Sequence, residues 1–139
     1  MSGARRVGRY AGPGLLAALA LLSGCDRRDS QTRADFGRAA AQVLATAQAT
    51  PTGCDELLSA AQLADLNAAG THLACGRLTR SPAETRGRLD RAYAARQVTA
   101  WGDEEVASGA FAFGEGKGPE LLVTITLLPE PEAVVLQAP

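Results

Sequence analysis

Apolar positions change their period along this chain, and the change separates a helical part from an extended part. Phe36, Ala40, Val43 and Ala47 recur at i, i+4, i+7 and i+11, with Leu44 beside them. That is the stripe of one amphipathic helix, expected over 33–49. Thr50-Pro51-Thr52-Gly53 ends it, because proline cannot continue the hydrogen-bond ladder and pushes its predecessor out of the helical region. A second helix over 55–68 is expected to start from Thr52 as N-cap, with Asp55 three places on. Leu57, Ala61, Ala64 and Ala68 form its stripe; Leu58, Leu63 and Leu66 fall off it, which points to a bend or to two short pieces. Gly70 is a natural stop. Ser81-Pro82-Ala83-Glu84 carries a capping serine, a proline at the first helical position and a capping-box glutamate, so a third helix starts there. Leu89, Ala92 and Tyr93 are expected to share its inner face, with Glu84–Arg88 and Arg86–Asp90 as i,i+4 pairs.

From Gln97 the period becomes two. Gln97–Trp101 reads as a short strand, and Val106–Phe113 as another with Phe111 and Phe113 on one side. In Glu120–Leu128, Leu121, Val123, Ile125 and Leu127 share one face while Thr124 and Thr126 share the other, the alternation of a half-buried strand. Gly114-Glu115-Gly116-Lys117-Gly118-Pro119 joins the last two as a hairpin loop. Pro129 and Pro131 mark a break, after which Ala133–Gln137 is expected as an edge strand. The pattern predicts an α+β domain: about three helices followed by a small antiparallel sheet of three to four strands, with the helices on its apolar face.

The first 25 residues follow a different logic. Arg5, Arg6 and Arg9 precede an apolar run from Leu15 to Leu22, and no acid lies among them. The run is far shorter than the about 20 apolar residues that span a bilayer. Ser23 and Gly24 are small, as a signal-peptidase cleft requires. Leu22-Ser23-Gly24-Cys25 resembles the bacterial lipobox at all four positions. The resemblance implies a thioether-linked diacylglycerol with palmitate-type acyl chains on Cys25 and cleavage before it. Residues 1–24 are then a removed signal peptide, 25–32 a lipid-anchored tether, and 33–139 a single α+β domain. More than one acyl chain is needed for stable anchoring. Asp26 resembles the sorting residue that retains lipoproteins on the exported, periplasmic face of the cytoplasmic membrane, with the outer membrane as the other destination.

Removing that segment changes the charge balance. It takes 24 of 139 residues and three of 14 basic side chains, leaving 115 residues with 11 basic and 15 acidic groups. Residues 97–139 hold seven acids and only Lys117, whereas 77–96 hold six arginines against Glu84 and Asp90. A net acidic domain argues against nucleic acid as a partner. The arginine cluster reads first as a solvated helix face, and secondarily as an anion site.

With Cys25 committed to lipid, Cys54 and Cys75 remain. An even pair in an exported domain reads as a disulfide. Cys54, His72 and Cys75 are also the sharpest candidates for chemistry, as three soft ligands for zinc or copper or as a Cys–His nucleophile pair; a fourth ligand is not evident beyond Asp55. Asp103-Glu104-Glu105 reads as a solvated turn, Trp101 as a core or hinge anchor, and the glycines at 114–118 as a hairpin tip, since a phosphate loop would place Ser or Thr after the lysine. Cys54-Asp55-Glu56-Leu57-Leu58-Ser59-Ala60-Ala61-Gln62-Leu63, with a second cysteine some twenty residues on, resembles an opening found in small lipoprotein domains; that resemblance implies a disulfide and an α+β fold. These features together predict a membrane-anchored exported lipoprotein, a binding or assembly module with no cofactor, no catalytic set and an envelope protein as partner. The alternative is a small metal-binding protein or enzyme built on Cys54, His72 and Cys75.

Overall fold

The computed structural model describes residues 30–102, 105–114 and 120–139. The chain divides into two compact units. In the first, Met1–Ala34, only 30–34 are described, and they are helical. The second, Asp35–Pro139, holds the fold.

The helix α1 covers 30–47, so residues 30–32, expected in the tether, are already helical. Its stripe is as the sequence predicts: Phe36, Ala40, Val43, Leu44 and Ala47 are buried, together with Ala39. Gln48 ends it with a left-handed φ of 54°, and its carbonyl accepts from Thr79 Oγ1 at 2.8 Å.

The sheet is larger than the sequence predicts. Six antiparallel strands lie in the order β1-β2-β6-β5-β4-β3: β1 Thr50–Thr52, β2 His72–Arg77, β3 Gln97–Thr99, β4 Ala107–Phe113, β5 Leu121–Pro129 and β6 Glu132–Ala138. The two extra strands, β1 and β2, lie between helices instead of after them. Thr52 is therefore a strand residue and not a helix cap. The expected second helix is two pieces: a 3-10 turn at Cys54–Glu56 and α2 at Ala60–Ala68, capped by Ser59 in a complete capping box with Gln62. Gly70 follows with φ +70°. The third helix, α3 (Pro82–Tyr93), starts where expected, with the Ser81 side chain accepting from the Glu84 N–H at 3.2 Å. Its inner residues are Thr85, Leu89 and Tyr93; Ala92 is exposed. Glu84 reaches Arg80 at 3.9 Å rather than Arg88.

The segment 133–137 is not an edge strand. β6 pairs with β2 on one side, from His72↔Ala138 to Arg77↔Ala133, and with β5 on the other, from Thr124↔Gln137 to Pro129↔Glu132. Ala133, Val134, Val135 and Leu136 are all buried, because both faces of the sheet are covered at this point. On one face α1 and α3 pack over Phe111, Phe113, Val123, Ile125, Leu127, Val134 and Leu136. On the other, Leu57 joins Cys75, Ala133 and Val135, with Leu58, Leu73 and Leu128 at the margin.

Two glycines admit bulk on the helix face. A Cβ on Gly76 would stand 2.8 Å from Leu44 Cδ2 and 3.1 Å from the Thr50 carbonyl; one on Gly109 would stand 3.2 Å from the Trp101 ring. The true sheet edges are blunted. β1 has three residues and contains Pro51, and β3 has three residues and a register irregularity between Gln97 and Thr99, both devices that discourage further strand pairing. Gly76→Ala is expected to lower stability by about 1–3 kcal/mol through overpacking against α1; urea unfolding of the purified chain measures it, and an unchanged midpoint would contradict the close approach.

Candidate functional site

The sequence-predicted site residues are placed as follows. Cys25 lies outside the described residues, as do Asp103, Glu104 and the loop 115–119. Cys54 and Cys75 are joined in a disulfide with their Cα atoms 5.2 Å apart. The bond ties the 3-10 turn to β2 and closes a separation of 21 residues that contains α2. No residue of α2 is buried, so this excursion leans on the bond and on Leu57 and Leu58 for its attachment.

His72 is not brought to the cysteines. It sits three places before Cys75 in an extended strand, where alternate residues point to opposite faces. Cys75 belongs to the cluster with Leu57, whereas the His72 ring stacks on Phe36 of α1, centroids 5.7 Å apart and planes at 29°. Among the described residues, no group of three or more His, Cys, Asp or Glu is placed to hold a metal ion. The proposed three-residue set is thus split across the sheet.

The most organised polar cluster lies elsewhere, around Trp101. The indole is buried against Phe111, with centroids 5.7 Å apart, and its Nε1–H donates to Asp90 Oδ1 on α3. The Arg86 guanidinium stands over the indole at 5.7 Å, and that of Arg96 over Phe113 at 5.4 Å. Nearby, the Tyr93 hydroxyl shares a hydrogen bond of 2.8 Å with Thr46 of α1. Trp101 is thus a core anchor between α3 and β4. Its partner Asp90 carries no signal in the sequence, where it looks like an i,i+4 mate for Arg86.

α1, α3 and the turn after α3 carry Arg38, Arg86, Arg88, Arg91 and Arg96 beside Asp35, Glu84 and Asp90; Glu105 follows soon after Trp101, and Arg77 lies on the opposite face of β2. Asp35 is engaged by Arg38, Glu84 by Arg80 and Asp90 by Trp101. Arg88 and Arg91 have no ion-pair partner among the described residues. On the other face, Asp55 and Glu56 stand in the turn that shelters the disulfide, and Asp65 on the helix that follows. That face is open beyond the disulfide. Leu122 is 43% exposed there, next to Ala112 and close to Thr124 and Thr126, with Ser108 and Thr126 hydroxyls bonded at 2.8 Å.

The geometry defines a small disulfide-stapled α+β domain with an arginine-rich third helix. Compared with known protein families, curated proteins and solved structures, the chain matches none. Its functional reading therefore rests on its own residues.

Two outcomes test this site. Replacing Cys54 and Cys75 together by serine should cost about 3 kcal/mol, the value for a closed loop of this length, and dithiothreitol should shift the wild-type unfolding midpoint to that of the variant. Asp90→Ala should cost about 1–3 kcal/mol by leaving the buried indole N–H unmatched, and should move the fluorescence of the single tryptophan; an unmoved spectrum would contradict the Asp90–Trp101 bond.

Proposed function

We propose that this protein is a membrane-anchored exported lipoprotein whose domain is a non-catalytic binding or assembly module. The observation that carries the reading is Leu22-Ser23-Gly24-Cys25 behind an arginine-bearing start and a short apolar run. Lipid on Cys25 supplies the anchor, and 33–139 supplies the module. Asp26 favours retention on the exported face of the cytoplasmic membrane, and the partner is an envelope protein.

Two structural features support the reading. The Cys54–Cys75 disulfide suits an oxidising, exported compartment. Among the described residues, no helix is long and apolar enough to cross a membrane, and a lipid on Cys25 needs none. Four candidate residues have structural partners: Cys54 and Cys75 in the bond, His72 on an aromatic stack and Asp90 on an indole.

The test is the mass of the mature chain. Protein extracted from its membrane should begin at Cys25 and carry the mass of a diacylglycerol, and Cys25→Ser should accumulate as an unlipidated precursor that retains residues 1–24. A mature terminus elsewhere, or an unmodified Cys25, would reject the anchor. Crosslinking in intact cells should recover one recurrent envelope protein; recovery of this chain alone would reject the module.

A further inference from the structure

We infer that the helical side of the domain, through Arg86, Arg88, Arg91 and Arg96, docks on an anionic lipid surface. The inference deepens the reading above and rests on it for the location of the bilayer, but the charge arrangement is independent of that reading.

Three observations carry it. First, the fold gathers the arginines. α1 and α3 pack on the same face of the sheet, so the arginines of α3 and Arg96 just beyond it share one side with Arg38. Asp55, Glu56 and Asp65 lie on the segment associated with the other face. α3 and the turn after it are thus an arginine-rich segment of a net acidic domain, and an anionic surface selects that segment by complementarity.

Second, Arg88 and Arg91 have no ion-pair partner among the described residues; Asp35 is paired with Arg38 and Glu84 with Arg80, while Asp90 accepts from the neutral Trp101 indole and keeps its charge. Arg86 and Arg96 rest over Trp101 and Phe113. A cation–π contact of this kind leaves the charge in place, so both guanidiniums remain available to an anion.

Third, the tether is short. Cys25 is five residues from residue 30, where α1 begins, a reach of roughly 17 Å even when fully extended. A domain held that near a bilayer is presented to it at high effective concentration, so weak contacts from the exposed Arg91 and Arg96 and the half-buried Arg86 and Arg88 suffice.

The experiment uses the mature chain purified from its membrane, with vesicles of pure phosphatidylcholine or of phosphatidylcholine with phosphatidylglycerol, each carrying a trace of dansyl-labelled headgroup. Trp101 is the only tryptophan and lies beneath Arg86, so energy transfer from it to dansyl reports the approach of this side. Transfer should be strong with phosphatidylglycerol, weak without it, and lost at high salt. The double variant Arg88→Glu, Arg91→Glu should weaken the salt-sensitive component by more than about tenfold, while Arg77→Glu, on the opposite face of β2, should leave it intact. Circular dichroism and the non-reduced disulfide confirm that the variants fold. Equal transfer to both vesicles, or indifference to the double substitution, would overturn the proposal. Failure of the chain to pellet with vesicles at high salt would reject the lipid anchor alone; salt-reversible pelleting on phosphatidylglycerol vesicles would then still support docking, and its absence would overturn it.

Discussion

The fold depends on β6 being buried from both sides. It is the only link between the pair β1–β2 and the meander β3–β4–β5. Its residues alternate between two cores: Val134, Leu136 and Ala138 face the helices, and Ala133 and Val135 face the disulfide. A strand covered on both faces needs a continuous apolar run, and Ala-Val-Val-Leu supplies it. Its partner β2 comes from some sixty residues earlier, so the central pairing is non-local and must wait for most of the chain to be ordered.

The two faces are stabilised differently. The helix face is a conventional core in which scarce aromatics are concentrated. Tyr93 meets Phe111 and Phe113 edge-on at 6.4 and 5.3 Å, and Trp101 tilts against Phe111. Small residues elsewhere let the backbones come close, Gly76 beneath Leu44 and the alanines of α1 above the sheet. The volume missing from an alanine-rich helix is thus recovered by proximity, and the aromatic volume lies between α3 and β4.

How far the sequence revealed this follows from the strength of each local pattern. α1, α3, β4 and β5 were legible because each has a regular apolar period or a strong cap: Ser81-Pro82 for α3, the Leu-Val-Ile-Leu alternation for β5. β1 and β2 were not. Pro51 reads as a breaker, and a three-residue edge strand has no period to detect. β2 reads His-Leu-Ala-Cys-Gly-Arg: its helix face is His72, Ala74 and Gly76, polar at one end and small where α1 comes close at Gly76, so it lacks the apolar alternation that marks a strand. The central position of β6 was hidden for the same reason: without β2 it had no second neighbour. Among site residues, the cysteine pair was visible through parity and compartment, whereas the opposite facing of His72 and Cys75 becomes evident only once the segment is known to be extended. The Asp90–Trp101 bond joins residues with no shared motif and was invisible.

The disulfide face completes the argument about where this protein can be stable. Beyond Leu57 and Leu58 that face has little apolar cover, and α2 buries no residue on it. A free 54–75 excursion would retain most of its conformational freedom while sheltering only a few side chains over β2 and β6, too little to offset the entropy of ordering it. The covalent bond removes much of that freedom from the unfolded chain instead. Cover over Cys75, Ala133 and Val135 is therefore conditional on oxidation, and these residues lie on the strand pair that joins the two halves of the sheet. Reduction would therefore loosen the cover over β2 and β6 while leaving the helix-face core in place.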